Sequence, residues 1–334
     1  MAPETSVSER SLQVLRQATA SQWQEVLTVL AKHRQLPLVF HVLKEPQLRN
    51  SVPKAALNQC MDAYFLSLYR NRVLYETLGT ALKAVYAQGI YPVLWKGIVL
   101  ADQLYPDLAT RIIGDIDWAI APEEKEPVAQ IFESLGFALQ PELTTSDALY
   151  FKSPKQVYFD VHHRVRLFEG KEHLSLTMKL QPAYPGLPTL HVLEPNAMLT
   201  HLTVHLGGHF SETGPLLFWI LDFVFLLRQW GHQINIERLT RLMPDQESWQ
   251  LLGRILRFLQ LEFKEPLPPT LAEFAKSHRP FTLELIAREC RLAGWNLDQP
   301  KGWLKLMACS LGYKATQSPP YPQAKDLLLW AVDR

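Results

Sequence analysis

The spacing of apolar and polar positions divides the chain into a helical beginning, a mixed middle and a helical end. From about residue 8 to 45, Leu12, Leu15, Leu27, Leu30, Leu36 and Leu38 recur at loosely helical intervals. Ser51 and Pro53 make a helix start. Leu57, Met61, Tyr64 and Leu68, then Tyr75, Leu78, Leu82 and Val85, advance in steps of three and four. They predict one long helix with a single apolar stripe, ended by Gly89. The period then changes. Residues 90–95 form a short apolar run that reads as a buried strand, Lys96-Gly97 as a turn and 98–104 as a short helix. Residues 114–121 predict a second strand. Pro122, Glu123 and Glu124 open a helix to about Leu135, with acids at the positive end of its dipole. Further strands are expected at 137–139, 148–152 and 156–165. In the last of these Tyr158, Asp160 and His162 share one face, and Val157, Phe159 and Val161 the other.

Prolines at 182, 185, 188 and 195 mark residues 181–195 as a connection. Helical spacing returns near 196–206, 216–230, 235–243, 247–261, 270–277, 281–292 and 300–312, and a last short helix follows the proline-broken stretch at 318–322. The expected class is α+β. A small mixed β-sheet core at 90–180 is flanked by an N-terminal helical region (1–89) and a helical C-terminal domain (181–334).

Composition narrows the picture little. The chain has 334 residues, 47% hydrophobic and 20% charged, as in ordinary globular proteins. A net charge of +1 gives no global pull toward nucleic acid or acidic membranes. Cys60, Cys290 and Cys309 are too few and too scattered for a disulfide framework, which fits a reducing cytosol. The N-terminus lacks the apolar core of a signal peptide, and no run of about 18 apolar residues suggests a membrane span. A cytoplasmic protein is expected.

The chemistry concentrates around Gly114-Asp115-Ile116-Asp117. Strand alternation points Asp115 and Asp117 the same way, with Cα atoms about 6.7 Å apart. Anions this close repel unless a cation sits between them, and oxygen ligands of this kind suit Mg²⁺ or Mn²⁺. Asp160 adds a third acid from a later strand. Nucleotidyl transfer needs such parts: acids that hold metal ions on a triphosphate, and a third near the incoming nucleophile. Gly97 at a helix start lets phosphates approach the backbone, and Lys96 and Arg111 offer positive charge.

The segment from Val93 to Glu124, with Lys96-Gly97, Leu104-Tyr105, Arg111, Gly114-Asp115-Ile116-Asp117 and later Asp160-Val161-His162, resembles the bacterial uncharacterised nucleotidyltransferase family. That family falls within the DNA polymerase beta-like nucleotidyltransferase superfamily. The likeness covers roughly residues 55–260. It implies transfer of an NMP from an NTP to an acceptor with release of pyrophosphate. Asp115, Asp117 and Asp160 would bind metal and act in catalysis. Lys96, Gly97, Arg111 and Gly114 would bind the nucleotide. The broader superfamily's Gly-Ser is Lys-Gly here, so the usual serine hydroxyl on phosphate is missing; the closer family shares that replacement.

Blander readings stand beside these. The acids could be solvated strand residues, and Lys96 and Arg111 ordinary ion-pair partners. His162, His201 and His205 are candidates for an acceptor pocket, though His162 reads first as a hydrogen-bonded structural histidine and the other two could equally serve packing. His201, His205 and His209 recur every fourth residue, but Gly207-Gly208 is expected to end the helix before His209, which disfavours a zinc site. Asp222 needs a partner in its apolar helix, which Arg228 or a helix N-terminus could supply, and it reads as structural first. The partners expected are an NTP and an unidentified acceptor: a small molecule, a peptide or protein, or an RNA end such as that of tRNA, with long nucleic acid disfavoured. An Asp-x-Asp glycosyltransferase using a nucleotide-sugar and a non-catalytic nucleotide-binding module are the rivals.

Overall fold

The apolar stripe after Pro53 folds as its spacing predicts: in the computed structural model it is one helix of 33 residues. The structure describes residues 9–169, 176–210, 217–263 and 265–280. The helices are α1 (Glu9–Gln17), α2 (Ala20–Lys32), α3 (Leu36–Leu43), α4 (Pro46–Arg49), α5 (Lys54–Tyr86), α6 (Gly97–Gln103), α7 (Lys125–Ser134), α8 (Pro195–Phe210), α9 (Leu217–Trp230), α10 (Ile236–Leu242), α11 (Gln246–Phe258) and α12 (Pro269–Lys276). The strands are β1 (Val93–Leu94), β2 (Ile116–Ala119), β3 (Ala138–Leu139), β4 (Ala148–Lys152), β5 (Tyr158–His162), β6 (Thr177–Leu180) and β7 (Leu190–Leu193). The helices expected at 281–292, at 300–312 and at the end lie outside the described residues. Among the described residues no helix is long and apolar enough to cross a membrane.

The chain divides into two units. One takes the described residues up to Leu66, Thr203–Arg228 and those from Gln246 on; the other takes Ser67–Leu202 and Gln229–Asp245. The first unit is helical. Trp23, Leu27 and Leu30 of α2 and Leu38, Val42 and Leu43 of α3 are buried. Thr19 and Gln22 cap α2 reciprocally: the Thr19 hydroxyl accepts from the Gln22 N–H at 3.3 Å, and the Gln22 side chain accepts from the Thr19 N–H at 2.7 Å. Arg228, one of the partners expected for Asp222, pairs with Glu265 at 2.7 and 2.9 Å. One expectation is corrected in this unit. The helix α8 runs through Gly207-Gly208 to Phe210 instead of stopping. A Cβ at Gly207 would lie 3.0 Å from Leu251 Cδ2, so the glycine gives α11 room to approach.

The second unit holds one seven-stranded sheet in the order β3-β4-β5-β2-β1-β7-β6. It is mixed: β2 pairs parallel with β5, β1 parallel with β7, and the other neighbours run antiparallel. Neither β6 nor β7 is anticipated by the alternation, and β7 lies inside the proline-rich stretch read as a connection. One sheet face buries Ile116, Trp118, Phe151, Phe159 and Val161. Phe132 of α7 packs there, with ring centroids 5.0–5.3 Å from Phe151, Phe159 and Trp118. Glu194 caps α8, accepting from the Asn196 and Ala197 N–H groups at 2.9 and 3.1 Å, and also takes Arg238 of α10 at 2.9 Å.

Candidate active site

The turn between β1 and α6 is built around an unusual backbone. Lys96 has φ +52° and ψ −133°, a conformation L residues with side chains seldom adopt. Its ammonium is held 2.6 Å from Asp117 Oδ1. Next to it, Gly97 has a steric reason as well as a chemical one. A Cβ there would lie 2.6 Å from Arg111 Nη1, so the buried guanidinium fills the space a side chain would take. The Asn71 side-chain amide of α5 fixes the Arg111 loop by donating to the carbonyls of Leu108 and Arg111 at 2.6 and 2.8 Å. The Tyr75 hydroxyl, also on α5, donates to the Ile98 carbonyl at 2.5 Å. The long helix therefore anchors both sides of the turn.

The acids meet through sheet register. Asp117 of β2 pairs with Asp160 of β5, and Asp160 in turn pairs with Tyr150 of β4. Alternation sends Ile116 and Trp118 into the aromatic core and Asp117, only 4% exposed, to the opposite face. Asp115 stands just before β2, and its Oδ2 accepts a long hydrogen bond from the Tyr150 hydroxyl at 3.4 Å. Burial and the Asp117 charge push the Asp115 carboxyl up to about 6, against the pull of Lys96. Burial opposes the charge on Lys96, but the Asp117, Asp115 and Asp160 carboxylates outweigh it and raise its pKa. Tyr150 is likewise raised, by burial first and then by Asp115. The site thus gathers three carboxylates around one ammonium.

Asp117, Asp160 and His162 each offer a ligand atom, all within 4.8 Å of one another; no other such trio of acids, histidines or cysteines occurs among the described residues. These donors fit a divalent cation. His162, expected in an acceptor pocket, stands beside Asp117 and Asp160. Its ring lies 5.2 Å from Trp95, and the His201 ring lies 5.5 Å from the same tryptophan. His205 belongs to the helical unit, edge-on to Trp219 at 5.6 Å. Gly114 is exposed, and a Cβ there would meet nothing within 4 Å, so no packing demands glycine at that position. Sequence reasoning missed Tyr150, whose only signal was its place on a strand expected at 148–152. A hollow of about 590 Å³ lined by Gln88, Ile90, Glu124, Pro127 and Ile131 includes none of these residues.

The chain belongs to the uncharacterised nucleotidyltransferase family, whose model matches residues 19–263. The match begins upstream of the span expected from the motifs and takes in α2 to α4. The crystal structure of an antigenic nucleotidyltransferase-like protein from Paracoccidioides brasiliensis is similar over 62% of this chain and 94% of that one, at 13% identity and a TM-score of 0.39. No curated protein matches the chain.

Proposed function

We propose that this chain, as a member of the DNA polymerase beta-like superfamily, transfers a nucleoside monophosphate from an NTP to an acceptor and releases pyrophosphate. One observation carries the reading. Asp117 and Asp160 sit in register on adjacent parallel strands, with the Lys96 ammonium on Asp117. An acceptor oxygen or nitrogen forms a bond to the α-phosphorus. The bond from that phosphorus to the oxygen leading to the β-phosphorus breaks, and its electron pair leaves with pyrophosphate. Asp115, Asp117 and Asp160 are assigned to hold Mg²⁺ or Mn²⁺. Bound there, the ion would supply positive charge to the triphosphate and to the leaving oxygen. Asp160 takes the acceptor's proton. Lys96, Gly97 and Gly114 contact the phosphates, and Arg111 braces the turn that presents them. His201, beside Trp95, lines the acceptor side. The acceptor class is a small molecule, a peptide or an RNA end. Family membership favours this chemistry over glycosyl transfer.

The test compares wild type with the Asp115→Asn/Asp117→Asn double variant. Each is incubated with α-labelled NTPs, Mn²⁺ and cell extract, and the extract is searched for label. Transfer should fall by at least about a thousandfold, or ~4 kcal/mol of barrier. Label transfer that survives in the double variant overturns the mechanism. A parallel incubation with labelled UDP-sugar should release no UDP.

A further inference from the structure

The reading above asks three carboxylates to hold the cation, but the side chains suggest another third ligand. We propose that His162 is a metal ligand, and that Asp117, Asp160 and His162 form a mixed carboxylate–imidazole site that takes Mn²⁺ in preference to Mg²⁺. The proposal rests on the nucleotidyltransferase reading and deepens it by naming the donor set and the ion.

Three observations support it. The first is convergence: these three residues place their ligand atoms within 4.8 Å of one another, and Asp115 is not among them. The second is the state of the imidazole. His162 Nε2 is 3.1 Å from Asp160 Oδ2, yet it is buried and makes no hydrogen bond. The nitrogen and the oxygen are close without hydrogen-bond geometry between them. Two ligands at right angles on one ion, each about 2.1 Å from it, also stand about 3 Å apart. A buried polar atom left unpaired is costly, and an ion accepting the nitrogen lone pair would remove that cost. The third observation is local structure. On β5, Asp160 and His162 are two residues apart and so share a face, while Phe159 and Val161 fill the core behind them. Trp95, itself buried, packs 5.2 Å from the His162 ring. The strand and the tryptophan thus hold the ring on the side where Asp117 faces Asp160.

The chemistry of the donors sets the choice of ion. Mg²⁺ prefers oxygen and gives up its waters reluctantly. An imidazole nitrogen adds affinity for first-row transition ions, which bind nitrogen ligands more tightly. Lys96 already neutralises one oxygen of Asp117. That leaves a site with less negative charge than three free carboxylates, so the nitrogen donor weighs more in the choice of ion.

The experiment uses the full chain stripped of metal. Mn²⁺ is titrated by electron paramagnetic resonance, and pulsed measurements read any directly bonded nitrogen. Wild type should show ¹⁴N coupling to Mn²⁺, and Mg²⁺ should displace Mn²⁺ only at about tenfold excess or more. In His162→Gln the nitrogen coupling should vanish and Mn²⁺ affinity should fall by about tenfold or more, while Mg²⁺ affinity changes little. Mn²⁺ bound by wild type without nitrogen coupling overturns the proposal, whether or not His162→Gln folds. Equal weakening of both ions in His162→Gln also overturns it. If Asp117→Asn abolishes Mn²⁺ binding while wild type shows no nitrogen coupling, the carboxylate site stands and the histidine assignment falls. Failure of wild type to bind either ion, with and without a non-hydrolysable NTP, overturns both readings.

Discussion

Two ion pairs, one in each unit, show how differently a protein uses a buried carboxylate. In the helical unit Arg228 meets Glu265 through Nε and Nη2 at 2.7–2.9 Å, and Glu265 is 2% exposed. The planar guanidinium matches both carboxylate oxygens, so the pair largely neutralises itself. In the sheet unit Lys96 makes a single 2.6 Å contact with Asp117, while Asp115 and Asp160 add negative charge close enough to raise the Lys96 pKa. Self-neutralised charge serves the fold. A surplus of like charge on a sheet destabilises the fold unless a cationic ligand arrives, as the proposed function requires.

The largest effect separating the two should come from the helical pair. Glu265→Gln removes the buried carboxylate of this bidentate contact and should lower unfolding free energy by about 2–3 kcal/mol, the scale of a hydrogen bond to a charged group. Urea denaturation measures this; a loss under about 1 kcal/mol would show that the pair is screened by solvent and the contrast is overdrawn. The sheet site should respond with the opposite sign. In chelator at pH 7.5, Asp115→Asn removes one of the mutually repelling carboxylates and should raise stability by on the order of 2 kcal/mol. A fall in stability would mean that the Tyr150 hydrogen bond matters more than the repulsion.

What the sequence made legible follows the range of the interactions involved. The α5 stripe and the two-faced Tyr158–His162 strand are local periodicities, and both fold as read. The pairing of Asp117 with Asp160 is long-range, but the face of each acid is local, so their common side could be anticipated. By contrast, β7 is four residues between Pro188 and Pro195, and it becomes a strand only through pairing with β1 and β6. Gly207 reads as a stop because glycine weakens a helix, but its neighbour Leu251 is 44 positions away in the chain. Arg228 likewise finds Glu265 from beyond α11, 37 positions along the chain. Among the site residues, His162 was legible as a face-mate of Asp160. Its nearness to Asp117 depends on strand packing that no local pattern encodes.

Acid should move the two units in opposite directions. In the helical unit, burial first and Lys32 second hold His33 down at about 4 from an ordinary 6.5. Between those values the unfolded chain binds a proton that the folded chain refuses, so stability is lost as pH falls from about 6.5 toward 4. In the sheet unit, burial and Asp117 hold Asp115 up at about 6 from an ordinary 3.8. There the folded chain binds the extra proton, so stability is gained as pH falls through about 6. Each slope is at most about 1.4 kcal/mol per pH unit, so in wild type the two oppose each other between pH 4 and 6. Asp115→Asn removes only the gain. In chelator its stability should fall by about 1 kcal/mol per unit on acidification across that window, where the wild-type curve is flatter. Parallel curves for the two proteins would show that Asp115 does not carry the surplus charge. If the units unfold in separate steps, one wild-type sample should show the helical transition moving down and the sheet transition moving up as acid is added.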